Sequence, residues 1–357
     1  MTRQRIAVAI GVAAIGVSVW VTTGAGAAAV PAFAAPRETE SWPVDKARAR
    51  EVRDDALQRA RVWHELSAAD VAAFEFGANP PDPSGLLTRD VVDCRFVADD
   101  LGGTTPKFTC VLRDGEVVKV KYGRNPEIQS ELAASRLLTG LGFGADRMYL
   151  VPQLRCYGCP PLPYQTSRVL GLLRLASFAD AMAPDGRVTE FAWVALERRM
   201  AGAPIKADGD DGWAWYELHP DERRGGATRA ESDALRLMAS FLVHWDNKQG
   251  NQRLICLADP EGRDRPCPQP FAFIHDLGAS FGPHKVNLEG WRRTPVFVDP
   301  PLCRVSMRHL PFLGATFVDT EISEDGRALL ARLLTAMSDR QIADLFAGAR
   351  FGPYERG

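Results

Sequence analysis

Asp246 and Asn251, at the two ends of Asp246-Asn247-Lys248-Gln249-Gly250-Asn251, and Asp276, isolated in His275-Asp276-Leu277-Gly278 behind an apolar run, are residues whose types can do chemistry together. A carboxylate can take a proton from a hydroxyl, and an amide oxygen with a second carboxylate can hold divalent cations. Phosphoryl transfer asks a protein for this set, because the work is to orient an attacking oxygen and neutralise phosphate charge. Asp246 is therefore expected to be the base, Asn251 and Asp276 the metal ligands, and Lys248 a positive charge beside the transferring group. Gly278 is expected to let the chain turn away behind Asp276. Alone, His244 to Asn251 also has the composition of a plain turn, so its meaning depends on what else the chain supplies.

Upstream, the bend Leu101-Gly102-Gly103-Thr104-Thr105-Pro106-Lys107 precedes an apolar run, Phe108 to Leu112, a turn at Asp114-Gly115 and a second run, Val117 to Tyr122. Asp-Gly between two such runs predicts a β-hairpin. The backbone N–H groups of Gly102, Gly103, Thr104 and Thr105 can fold over phosphates. Lys119 and Lys121 share one face of their strand, because side chains alternate, and one of them can reach the phosphates. The stretch from Pro126 to Leu138 predicts a helix, with Pro126 in its first turn and Gly140 and Gly142 ending it. Glu127 and Glu131 stand one turn apart. Glu131, close to the apolar block, is expected to pair with Lys121, and Glu127 to be solvated.

Taken in order, the Gly-rich bend, Lys121, Glu131, Asp246, Asn251 and Asp276 resemble the protein-kinase-like superfamily, with Val118-Lys119-Val120-Lys121, His244-Trp245-Asp246 and Asp276-Leu277-Gly278 at its signature positions. The details are similar to its atypical branch, including HipA-type bacterial, phosphoinositide-kinase-like and secretory-pathway kinases, and most of all to uncharacterised exported bacterial kinase-like proteins. Trp245 stands where eukaryotic protein kinases carry an arginine, and no Ala-Pro-Glu follows Asp276. The resemblance covers about Leu86 to the C-terminus. It implies an α+β, two-lobed fold with a small β-rich N-lobe, residues 86–203, and a helical C-lobe, residues 204–357. It further implies ATP and Mg²⁺ or Mn²⁺ as cofactors, and an acceptor of unstated class: protein, glycan, lipid or small molecule. Two alternatives share the fold: a pseudokinase acting as a binding protein, and a nucleotidyl transferase.

The N-terminus carries a separate signal. Arg3 and Arg5 precede an uncharged, mostly apolar run, Ile6 to Val21, and Ala32-Phe33-Ala34 offers a cleavage site. Residues 1–35 are expected to be a secretory signal or, failing cleavage, a membrane anchor. Either places the body outside the cytoplasm, periplasmic or extracellular. Seven cysteines fit that compartment. Cys94 is expected to pair with Cys110 across the first strands and Cys256 with Cys267; Cys156-Tyr-Gly-Cys159 lacks the second pair a structural zinc site needs. An odd count leaves a thiol over. With 357 residues, 46% hydrophobic and 25% charged, the chain can bury a sizeable core. A net charge of −2 without a basic arm argues against a nucleic-acid partner.

The positioning elements follow from patterning. Residues 36–43 read as a flexible tail, Val44 to His64 as a charged helix, and Asn79 to Gly85 as the loop before the first lobe. Phe191 to Glu197 reads as the last N-lobe strand, with Trp193 as core. Lys206 to Arg229 reads as an exposed polar loop whose Asp208-Gly209-Asp210-Asp211-Gly212 lacks calcium-loop spacing. Glu231 to Val243 is an amphipathic helix that delivers Asp246. His244 and His275 read as packed histidines. Ala279 to Gly282 and Val286 to Arg293 read as an acceptor-docking segment, and two helices, Glu324 to Met337 and Ser338 to Ala349, close the chain as scaffold.

Overall fold

A computed structural model of the chain describes residues 31–37, 39–42, 46–99, 101–172, 186–258, 266–281, 293, 295–308 and 314–351. Residues 32–357 cluster as one compact unit. Residues 1–30 of the expected signal or anchor segment and most of the expected docking segment lie outside the described residues. Among the described residues no helix is long and apolar enough to cross a membrane.

Two short helices, α1 (Ala49–Gln58) and α2 (Ala68–Ala73), precede five strands, β1 (Val91–Val97), β2 (Lys107–Leu112), β3 (Val117–Lys121), β4 (Arg147–Tyr157) and β5 (Val188–Arg198). Helix α3 (Pro126–Gly140) joins β3 to β4, and α4 (Pro163–Leu172) lies between β4 and β5. The strands close into a barrel in the order β1-β2-β3-β5-β4, the seam being a parallel pairing of β1 with β4. The fold is therefore α+β, as expected, but the small sheet is closed. Closure removes the unpaired edges that an open sheet would present.

Alternation sorts the residues of β3. Val118 and Val120 join Phe108, Cys110, Val194 and Leu196 in the barrel core, so Lys119 and Lys121 must face the other side. The β2–β3 turn is the Asp114-Gly115 hairpin, Gly115 having φ +87° and lying so close to Ala35 that a side chain there would strike its carbonyl. That contact corrects the expected tail: Arg37 N–H donates to the Gly115 carbonyl (2.7 Å), and Trp42 is buried with its N–H on the Pro204 carbonyl (2.8 Å).

Helix α3 starts from Asn125, whose side chain accepts from Glu127 N–H, with Pro126 in its first turn. It is buried on nearly all faces, so its polar residues need partners. Its apolar residues belong to the larger core, with Leu235 and Met238 of α5 (Arg229–Phe241). A Thr228–Glu231 capping box starts α5, two residues before the expected start; Phe241 at its end is exposed. After α5, Val243 adopts φ +52°, an uncommon conformation for a β-branched residue. It is held by Val243 N–H on Ser240 O (3.0 Å) and His244 N–H on Ala239 O (2.9 Å), and it turns the chain out of the helix.

A small sheet of β6 (Ala203–Pro204), β7 (Gln252–Cys256) and β8 (Pro270–Ile274) follows, and β9 (Phe297–Asp299), β10 (Arg304–Val305) and β11 (Thr320–Glu321) form another. Helices α6 (Glu324–Thr335) and α7 (Asp339–Gly348) close the chain. The first expected helix is shorter than its charge pattern suggests, since residues after Arg59 bridge to other segments, Arg61 to Phe271 and Trp63 to Phe143. Lys206 to Arg229 is only in part the exposed loop expected: Asp208 to Asp210 and Glu222 to Gly225 are exposed, but its middle packs. Trp213 and Trp215 are fully buried, and Arg53 of α1 ties the segment down through the Gly212 carbonyl (2.9 Å) and Glu217 (2.8 Å). Asp211 is buried against Arg253. Trp193, expected in the core, is 47% exposed beneath the Arg350 guanidinium.

Three disulfides form: Cys94–Cys110, Cys256–Cys267 and Cys156–Cys159. The first two match expectation, and the third resolves the Cys156-Tyr-Gly-Cys159 motif. Cys303 carries the remaining thiol.

Candidate functional site

The site is built outward from Lys121. Its ammonium is buried and lies 2.5 Å from both carboxylate oxygens of Glu131 on α3, and 2.9 Å from Glu197 at the end of β5. Glu197 stands directly opposite Lys119 in the β3–β5 register and holds that ammonium at 2.6 Å. A carboxylate between two lysines was not foreseen. The usable signal was the even spacing of Lys119 and Lys121 together with the antiparallel run of β5, near whose end this glutamate lies.

Electrostatics follow from burial. Loss of hydration favours a neutral Lys121 amine, but Glu131, Glu197 and Asp276 outweigh it and hold the ammonium well above the usual lysine range. Burial would lift Glu197 too; Lys119 and Lys121 keep it well below the usual carboxylate range. Glu131, with one lysine shared among several carboxylates, is pushed up by burial.

Beyond Glu197 the network continues. His275 sits 4.0 Å from Glu197 through Nε2 and hydrogen-bonds Asp146 through Nδ1, while Asp146 also accepts from Met200 N–H (2.7 Å) in the segment after β5. The ligating atoms of Asp146, Glu197 and His275 lie within 4.8 Å of one another. All three are already engaged, with each other, with a backbone N–H or with the lysines, so they make a hydrogen-bonded brace. His275 is thus a packed histidine, as expected, with a defined partner.

Asp276 follows His275 directly. Burial alone would raise its carboxyl, yet Lys121 above all holds it well below the usual carboxylate range. Gly278 N–H donates to Asp276 Oδ1 (3.3 Å). Gly278 does not adopt a left-handed conformation; it packs against the first turn of α3 at Glu127 instead. The β7–β8 hairpin brings Asn251 alongside, its carbonyl accepting from His275 N–H (2.8 Å). The Asn251 amide nitrogen donates to the Asp246 carbonyl (2.6 Å), which locks the loop and leaves the amide oxygen on the opposite side.

Asp246 is half-buried, and burial raises its carboxyl above the ordinary value while Lys248, at 3.0 Å from both oxygens, pulls it back. His244 is fully buried, and burial pushes it down to about 4, so it is neutral at pH 7. Asn247, given no role from sequence, fastens the loop: its side-chain oxygen accepts from Thr316 and Phe317 N–H (both 2.9 Å), and its carbonyl accepts from the Thr316 hydroxyl (2.7 Å).

The Gly-rich bend lies between β1 and β2 and is pinned from two sides. Tyr164 on α4 donates to the Gly103 carbonyl (2.7 Å), and Thr105 donates to Glu127. Glu127 is buried, not solvated, because the bend and Gly278 cover the start of α3. Gly102 and Thr104 lie in the same bend, both exposed. The expected docking residues Ala279 and Ser280 are buried, and Phe281 packs on Phe346 and Phe351, so these three cannot receive an acceptor.

No family model and no curated protein matches this chain. Among solved structures, the chain is similar to the Helicobacter pylori proinflammatory kinase CtkA, at 11% identity and a TM-score of 0.34, over 73% of this chain and 94% of that one. A likeness of that size carries no argument, and the functional reading rests on the geometry.

Proposed function

We propose that the protein is an exported phosphotransferase of atypical kinase-like, two-lobed architecture that transfers the γ-phosphoryl group of ATP with the help of Mg²⁺ or Mn²⁺. The N-lobe is residues 86–203 and the C-lobe 204–357. The observation that carries the reading is the buried Lys121–Glu131 pair at 2.5 Å, joining β3 to α3 beside Asp276, whose carboxylate Lys121 holds ionised. A lysine held by a helix glutamate beside a metal-binding aspartate is the phosphate-gripping arrangement of kinases.

Asn251 and Asp276 fit a divalent cation, since they offer an amide oxygen and an ionised carboxylate at the open end of the β7–β8 pair, one just before β7 and the other just after β8. Bound there, the cation would neutralise phosphate charge. Asp246 orients the acceptor hydroxyl and takes its proton, its raised carboxyl bringing its basicity nearer to neutral pH. Lys248 lies where it can move from Asp246 to the phosphoryl group in transfer. Lys119, through Glu197, holds Lys121 in register, and the Gly-rich bend covers the phosphates with backbone N–H groups.

The test is nucleotide binding by calorimetry with and without Mg²⁺, and turnover with labelled ATP and fractionated envelope material. Asp276→Ala is expected to remove Mg²⁺-dependent binding and turnover; unchanged turnover would sink the assignment. The Lys248 ammonium resting on both Asp246 oxygens favours a second reading, a pseudokinase that binds nucleotide without transferring phosphate. Mg²⁺-dependent ATP binding without a labelled product would select it.

A further inference from the structure

Lys107 is the third lysine of the site and has no task in the scheme above. It closes the Gly-rich bend and opens β2, directly opposite Lys121 in the β2–β3 register. Like charges in opposed positions of neighbouring strands repel. Lys121 is compensated by Glu131 and Glu197, and Lys119 by Glu197. Among the described residues no carboxylate lies within ion-pairing distance of Lys107.

Its position shows what the charge is aimed at. A methyl group placed on Gly103 would stand 3.1 Å from Lys107 Nζ, so the ammonium is tucked against the bend itself. Burial, and then Lys121, push the Lys107 amine below the usual lysine range, with Asp276 opposing them. The bend is held in place by Tyr164 and Thr105, so the ammonium has a fixed frame. A cation with no ion-pair partner among the described residues, set against a backbone-N–H bend, is complementary to a polyanion.

We propose that Lys107 is a second phosphate-gripping residue, which clamps the polyphosphate of a nucleotide from the bend side while Lys121 holds it from β3, and which selects nucleoside polyphosphates over the bare nucleoside. The inference rests on the nucleotide site described under the proposed function. Its test compares ATP–Mg²⁺, ADP and adenosine binding, by calorimetry, to the wild-type chain, Lys107→Met and Lys107→Arg, with melting temperatures recorded without ligand.

Lys107→Met should weaken ATP binding by about tenfold or more, the loss of a charge-assisted contact. Adenosine affinity should stay within about twofold, and Lys107→Arg should bind ATP much as the wild type does. The ligand-free Lys107→Met chain should melt no lower than the wild type, because a repelling charge has gone. Wild-type ATP binding with an unchanged Lys107→Met affinity overturns this inference and leaves the nucleotide site standing. A Lys107→Met chain that melts lower shows a structural lysine and overturns it too. Absence of ATP binding by the wild type overturns the nucleotide site, and this inference with it.

Discussion

At the scale of single residues, the site works by leaving few charges uncompensated. Glu197 serves two lysines at once from a side chain only 3% exposed. Glu197→Gln should therefore cost about 3–5 kcal/mol, the usual penalty for breaking a buried pair from one side. It should also weaken nucleotide binding, because Lys121 loses a tether; urea denaturation and calorimetry measure the two effects separately. Asp246 carries a pH signature. Its folded carboxyl is raised, first by burial, and it must be ionised to accept a proton, so activity should fall as pH drops through a value above the ordinary carboxylate range. Lys248 opposes the rise, so Lys248→Met should move this acid limb to higher pH, and a limb that stays put or moves down would remove Asp246 from the role of base. Of these groups, Lys121 and Glu131 form the pair that local spacing led one to expect, while Asp246, Asn251 and Asp276 are singled out by spacing and carry the proposed roles. Glu197, Asp146 and Lys107 were not legible in the sequence. Each is an ordinary charged residue in its own neighbourhood: strand register brings Glu197 and Lys107 into the site, and contacts with His275 and the Met200 N–H bring in Asp146.

At the scale of elements, the loop before the barrel does more than connect. Asn79 bonds the Leu150 carbonyl and N–H of β4 (2.9 and 2.8 Å) and accepts from Arg136 of α3 (2.7 Å), so it couples the barrel to the helix that carries Glu131. Asp82 accepts from Leu87 N–H (2.7 Å), Ser84 (2.8 Å) and Arg198 of β5 (2.8 Å). Against burial, these bonds lower its carboxyl to about 2. A depressed folded value means the stabilisation is present above the unfolded carboxylate value and lost as pH falls toward about 2. Asp82→Ala should destabilise the chain by about 2 kcal/mol at neutral pH, with the difference shrinking in acid; denaturation curves at pH 7 and pH 3 check both. The Cys94–Cys110 disulfide spans β1 and β2 on either side of the Gly-rich bend, with a sequence separation of 16. Its removal in a Cys94→Ser, Cys110→Ser chain should cost about 3 kcal/mol through the freed loop, read as a lower melting temperature. The start of α3 was readable from Pro126 in its first turn. Helix lengths and exposures were less so: the charge pattern after Arg59 still looks helical, yet Arg61 and Trp63 bridge to Phe271 and Phe143 because the core needs them there.

At the scale of the whole molecule, three disulfides are compatible with an oxidising compartment. Together with the N-terminal signal they lead to the expectation that the chain is exported and cut after Ala34. Mass spectrometry of the secreted protein should find an N-terminus at Ala35, and an intact N-terminus would favour the anchored alternative. Arg37 and Trp42, which dock on the hairpin and on Pro204, remain after such a cut, so the fold should survive it.

The sequence by itself determined the α+β class, the β2–β3 hairpin and α3 with its glutamate, because each is written in a short window of residue types. Tertiary structure alone decided the closure of the barrel, since the parallel β1–β4 seam joins segments some sixty residues apart. It alone decided that Glu127 is buried, that the middle of Lys206 to Arg229 packs, and that Asp276 is held ionised by Lys121 with help from Lys107. Burial and charge compensation are properties of what surrounds a residue, and the surroundings come from distant parts of the chain.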